Sequence, residues 1–266
     1  MSFYLATLKR LVASGRLDPA ASTLVVAAGE YDRECLLGAG FTNVTISNLD
    51  VRMKGGEFAP YDWSFQDAEA LNFEEGSFDQ VMVHAGLHHC ASPHKALLEM
   101  YRVAAKSVLV FENRDSLLMR AAAKFGFTRY YELEAVASND CRFGGVRNTA
   151  VPNYVYRWTE REVEKTIATA DPAGPVKVSF FYNLRLPTDR LALHRSRMIR
   201  VGTNLIALPV KAFTKLFPKQ ANEFGFLIEK ERRYWPWIDK ETGTLGREWA
   251  AKRFNLQPGK PLETSA

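Results

Sequence analysis

Residues 24–50, LVVAAGEYDRECLLGAGFTNVTISNLD, decide how the rest of the chain is read. Thr23 opens a strand predicted over 23–28, whose Leu24-Val25-Val26 core is apolar on both faces. That pattern suits a central parallel strand covered by helices. A turn around Gly29 follows, then a short helix over 32–37 closed by Gly38 and Gly40. Residues 44–47 alternate and are β-branched, so they read as a second strand, with Asn48 and Asp50 at its end.

The same rhythm continues downstream. Residues 51–64 hold Gly55, Gly56 and Pro60 and read as a loop. A strand over 80–85 ends at Leu87-His88-His89, and Pro93 opens a helix over 93–105. Residues 107–111, SVLVF, form another buried strand, ending in Glu112. Alternating strands and helices predict a doubly wound, mostly parallel α/β sheet. Ligands of such sheets sit beyond the C-terminal strand ends, which here carry Gly29, Asn48, Asp67, His84, His88, His89 and Glu112. Further on, 115–125 starts helical, and 158–170 is a predicted helix with Thr159 as N-cap and Glu162 completing a capping box. Strands are predicted over 176–184 and 224–228.

Composition sets the class. The 266 residues are 47% hydrophobic and 24% charged, ordinary for a globular chain able to bury a core. There is no apolar run of membrane-spanning length. Lys9 and Arg10 interrupt what would be the core of a secretion signal, so the N-terminus reads as an amphipathic helix. Cys35, Cys90 and Cys141 are isolated from one another, which favours reduced thiols and a cytoplasmic setting. Three parts are expected: an N-terminal helix (1–22), a main domain (23–232) with insertions at 113–157 and 189–219, and an extension (233–266). The net charge of +5 is concentrated in 185–219, which holds eight Arg/Lys against one Asp. That segment, with Leu and Ile among its arginines and with Gly202 and Pro209 expected to break any long helix, reads as a helical cap, or as a peripheral contact with a lipid-linked substrate or membrane surface. Aromatics are not interleaved with its basic residues, so nucleic acid is not expected as a partner.

One block carries a family signature: Asp67-Ala68-Glu69-x-Leu71, Ser77-Phe78-Asp79, a strand, Leu87-His88-His89, then Ala96-Leu97-Leu98-Glu99-x-x-Arg102-Val103. In this order the elements resemble the class I S-adenosylmethionine (SAM)-dependent methyltransferases, of the type found in quinone, sugar and natural-product biosynthesis. The resemblance implies a seven-stranded Rossmann-like sheet with an antiparallel final strand. It implies SAM as cofactor, held by Ala27, Ala28, Gly29 and Glu30 after the first strand, Asn48 after the second, Asp67 and Ala68 after the third, and His84 and Leu87 after the fourth. Asp67 would accept from the adenine amine, as an exocyclic amine requires. The chain departs from the family's glycine pattern: only Gly29 remains, Val25 stands where an acid is expected within the strand, and Asn48 replaces the ribose-binding acid. SAM has no pyrophosphate, so glycine loss weakens a SAM site less than a dinucleotide site.

Methyl transfer needs in-line placement and, for a hydroxyl acceptor, a base. His88 and His89 are the candidate catalytic residues, because related sugar O-methyltransferases use a histidine pair at this place and imidazole titrates near neutrality. Glu112, with Asp115, is a candidate second polar group. His84, His88, His89, Cys90 and His94 straddle a strand end, a loop and a helix start without a second ligand pair, so no metal is expected. The expected function is methyl transfer from SAM to a small-molecule acceptor, foremost a hydroxyl of a sugar or saccharide-linked compound. The alternative is a non-catalytic SAM-binding or interaction domain.

Overall fold

The computed structural model describes residues 1–186, 197–231 and 233–255, with the backbone alone for 197–206. Eight strands form one sheet: β1 (Thr23–Val26), β2 (Val44–Asn48), β3 (Asp62–Phe65), β4 (Phe78–His84), β5 (Ala104–Arg114), β6 (Arg157–Trp158), β7 (Lys177–Asn183) and β8 (Glu223–Glu229). The spatial order is β3-β2-β1-β4-β5-β8-β7, with β6 paired to the end of β5. Pairing is parallel from β3 to β5, and β8 runs antiparallel to both β5 and β7. The doubly wound, mostly parallel sheet with an antiparallel last strand is therefore present.

Alternation along the central strands separates two cores. Leu24, Val26, Val81, Val83, Val108 and Val110 face one side, where α3 (Pro93–Val103) and α6 (Glu160–Ala170) cover them. Val25, Met82, Leu109 and Phe111 face the other, under α1 (Phe3–Ala13) and α2 (Glu30–Ala39). Local chemistry sets the helix starts. Ser92 caps α3 with Pro93 in its first turn, and Thr159 and Glu162 form the expected capping box on α6. α4 (Leu117–Lys124) and α5 (Leu133–Ala137) lie in the first insertion, and α8 (Arg247–Phe254) lies near the C-terminus.

The structure corrects the sequence reading at four places. The predicted loop over 51–64 contains the start of β3, a half-exposed edge strand whose short mixed pattern gives little apolar signal beside Gly55, Gly56 and Pro60. β5 extends three residues earlier and three later than the apolar core at 107–111. Trp158 belongs to β6 and not to the following helix. In the basic insertion, α7 (Arg197–Leu216) runs on through Gly202 and Pro209, which the sequence reading took as breaks. The part of that insertion over 187–196 lies outside the described residues. Among the described residues, no helix is long and apolar enough to cross a membrane.

β2 and β3 lie on one side of β1, and β4 and β5 on the other. The chain thus reverses its winding between β1 and β4, and a crevice opens at their C-terminal ends.

Candidate active site

Two tight turns form the floor of this crevice. Ala27, after β1, has φ 50°, and Ala85, after β4, has φ 53°. Alanine in the left-handed region is strained, by about 1–2 kcal/mol per residue. The turns touch: a Cβ added at Gly86 would sit 2.7 Å from Ala27 Cβ. The close backbone approach that the family obtains with glycines after the first strand is met here by Gly86 facing Ala27.

A cavity of about 250 Å³ rises from this floor. Ala27, Asn48, Asp50, Asp67 and Ala68 line it from the strand ends, and Ala85, Gly86, His89 and Cys90 from the segment after β4. The first insertion closes it with Gly144, Gly145, Arg147 and Asn148. Glycine is required at 145, because a Cβ there would lie 1.9 Å from the Val151 carbonyl oxygen. Arg52 ties the insertion to the end of β2: it grips Asp50 at 2.6 Å, donates to Asn139 at 2.8 Å, and lies over the Phe143 ring. Arg147 reaches across the opening to Asp67 Oδ2 at 2.6 Å.

Of the residues expected to hold the cofactor, Ala27, Asn48, Asp67 and Ala68 line the cavity. Ala28, Gly29, Glu30, His84 and Leu87 do not. Ala28 and Leu87 are buried, and Glu30 points to solvent. Asn48 spends its amide on the backbone, donating to the Ala28 carbonyl and accepting from Asp50 N–H. It therefore fastens the β1 and β2 ends together. His84 stacks on Tyr4 of α1, with ring centroids 4.5 Å apart and planes within 7°. Burial pulls its pKa down to about 4, so it is neutral.

Beside His84, Asp32 accepts from Gly29 N–H at 3.0 Å and so caps α2. Its other oxygen, Oδ1, is buried without a hydrogen-bond partner, as is Tyr4 Oη. Burial pushes the Asp32 pKa up to about 7, against the lowering effect of the backbone donors. A folded-state pKa above the unfolded value means full stability at low pH, lost as pH rises from about 4 through 7. Asp32→Asn keeps the cap and abolishes this loss. It should exceed wild type in urea unfolding at about pH 8 by on the order of 2 kcal/mol, with the gap closing near pH 4. A gap that is equal at both pH values would contradict the assignment.

An ionisable cluster after β4 reaches the cavity through His89, while His88, Glu112 and Glu132 stand behind its lining. Glu112, at the end of β5, accepts from Leu87 N–H at 2.7 Å through Oε1 and meets His88 Nδ1 at 2.6 Å through Oε2. His88 Nε2 faces Glu132 Oε2 at 3.5 Å, and the same oxygen lies 3.3 Å from His89 Nε2. Asn153, fully buried, donates to Glu132. Burial alone would lower the His88 pKa, but Glu112 and Glu132 outweigh it and push it up to about 10. Glu132 is correspondingly held down at about 2 by its hydrogen bond to His88. His89 is shifted downward by burial and by the cation beside it. The two adjacent histidines are thus different: His88 is a buried cation between two carboxylates, and His89 is neutral and half-exposed at the cavity edge. His94 is elsewhere, bound to Glu162 on α6 at 3.0 Å. Glu132 and Arg147, which complete the cluster and the cover, were not anticipated; both lie in the irregular insertion, where no periodicity or motif marks them.

A model of the methyltransferase domain family matches residues 28–111, which span the βαβ unit, Asp67 and the His88–His89 turn. Over these residues the chain is similar to a methyltransferase domain. No curated protein matches the chain. Among solved structures, the chain is similar to the YcgJ protein of Bacillus subtilis, at 12% identity and a TM-score of 0.50 over 86% of this chain and 99% of that one. It is also similar to a possible histamine N-methyltransferase of Thermotoga maritima, at 16% identity and a TM-score of 0.47 over 86% and 89%. A third is the magnesium protoporphyrin IX methyltransferase of Synechocystis PCC 6803 with bound SAH, at 14% and 0.49 over 86% and 82%. At these identities the likeness concerns the fold.

A methyltransferase domain implies SAM as cofactor, and the residues present fit it. Asp67 offers an acceptor on the cavity wall, and Ala27, Ala85 and Gly86 leave the floor free of bulky side chains. Arg147 must yield or share Asp67 Oδ2. Its pair is half-exposed, and such a pair is worth about 0–1 kcal/mol, so displacement is cheap.

Proposed function

We propose that this methyltransferase acts on a hydroxyl oxygen of a small molecule, with a sugar or saccharide-linked compound as acceptor. The observation that carries this reading is that His89 both lines the cofactor cavity and faces Glu132 at 3.3 Å. When bound, SAM supplies an electrophilic methyl group. An acceptor hydroxyl entering between His89 Nε2 and Glu132 Oε2 would donate to the neutral imidazole, which takes its proton as the oxygen is methylated. Glu132 then stabilises the imidazolium, while Glu112 and Asn153 hold His88 and Glu132 in place. His88, cationic near neutral pH, is a positioning residue in this scheme and not the base. For the acceptor's bulk, the insertion offers a second cavity of about 310 Å³ that includes Tyr130, Tyr154, Tyr156, Asp115 and Arg157. Aromatic faces mixed with hydrogen-bonding groups suit a polyhydroxylated ring.

The test is transfer from labelled SAM into fractionated cell extract, followed by NMR of the labelled product. Methyl on a saccharide oxygen is expected; methyl on nitrogen or carbon would overturn the reading. The eroded glycine pattern after β1, where only Gly29 remains, favours a second reading, a non-catalytic SAM-binding or interaction domain. Tight SAM binding with no transfer to any fraction would support it. For the basic segment, a peripheral membrane contact is supported by exposed Leu208, Phe213, Leu216 and Phe217 beside Lys211, Lys215 and Lys219. Co-sedimentation with anionic vesicles, lost in high salt, is the expected result.

A further inference from the structure

We propose that His88, His89 and Glu132 form a binding site for one divalent transition-metal ion of the zinc class. One ring nitrogen of each histidine and a carboxylate oxygen of Glu132 lie within 4.8 Å of one another, the group of this kind among the described residues. Two imidazoles and one carboxylate are the donor set of three-ligand zinc sites that keep an open position.

The spacing fits an ion placed between them. Ligand atoms bound at about 2.0–2.1 Å and at tetrahedral angles are about 3.4 Å apart. Here Glu132 Oε2 stands 3.3 Å from His89 Nε2 and 3.5 Å from His88 Nε2. Longer than a typical N–H···O hydrogen bond, these distances also suit two atoms sharing a metal. His89 and Glu132, each about one-third exposed, have room to move.

The supporting groups are also in place. Metal-bound histidines usually direct their other ring nitrogen to a carboxylate, which fixes ring orientation. His88 does so with Glu112, at 2.6 Å and with both side chains buried. Glu112 is held in turn by Leu87 N–H, and Glu132 is held by buried Asn153. Because His89 lines the cofactor cavity, the open position faces the space where an acceptor would bind. The ion would replace the proton on His88 Nε2, and an acceptor oxygen would then meet the ion's open position instead of a free His89 Nε2.

The full chain, stripped with chelator and titrated with cobalt(II) in the absence of SAM, tests this. Expected are one equivalent bound, the visible absorption of four-coordinate cobalt, and its loss on adding zinc. His89→Gln and Glu132→Gln sit at the half-exposed edge and should keep the fold, verified by circular dichroism, while weakening cobalt binding at least tenfold. Glu112→Gln should weaken it about 10–100-fold through His88. His94→Gln should leave it unchanged. No uptake would overturn the proposal, as would uptake that survives His89→Gln and Glu132→Gln but is lost in His94→Gln. The titration contains no SAM and no acceptor, so its failure is separate from failure of the methyl-transfer reading.

Discussion

Glu112→Ala is expected to destabilise the protein by about 3–5 kcal/mol, the usual consequence of removing one partner of a buried ion pair. The Glu112 side chain is fully buried and that of His88 is 3% exposed, so the orphaned imidazolium gains no water in exchange. Leu87 N–H loses its acceptor as well. Glu112→Gln retains an acceptor for Leu87 and should lose roughly half as much. The pH dependence gives the sign. His88 has a folded-state pKa raised to about 10, so the pair's contribution is complete below the unfolded value near 6.5 and is lost as pH rises through about 10. The difference between wild type and Glu112→Ala in denaturant unfolding should therefore be large at neutral pH and shrink in strong alkali. A loss under 1 kcal/mol at neutral pH would mean that this pair does not hold the turn.

His89→Ala is expected to lower turnover by about 10²–10⁴-fold, the range for removal of a general base. SAM affinity should change by less than about threefold, since the proton-accepting side chain acts on the acceptor and not on the cofactor. Equilibrium binding beside single-turnover kinetics separates the two quantities. Equal turnover would remove His89 from the chemistry, and a joint loss of SAM binding would make it a cofactor residue.

The strand ends were legible because hydrophobic periodicity marks where each strand stops. The His88–His89 turn follows from that reading, whereas Asp67 follows from the resemblance carried by Asp67-Ala68-Glu69-x-Leu71; Asp67 and His89 both line the crevice. β3 was hidden because an edge strand carries little apolar signal, and its neighbours Gly55 and Gly56 read as loop. Asn48 was placed correctly at the end of β2, but residue type alone could not reveal that its amide is consumed by Ala28 and Asp50. The difference between His88 and His89 arises from Glu112 and Glu132, which come to them from positions 24 and 43 residues away along the chain. Glu132 and Arg147 belong to an insertion held by backbone geometry at Gly144 and Gly145, where no sequence period exists to be read.

Calorimetric titration of wild type and Asp67→Ala with SAM tests the central claim most directly. Wild type should bind one equivalent, and Asp67→Ala should bind about 1–3 kcal/mol more weakly, as expected when a buried donor loses its acceptor. No binding of SAM to the wild type at millimolar concentration, or the same affinity in both proteins, would contradict the account of this cavity.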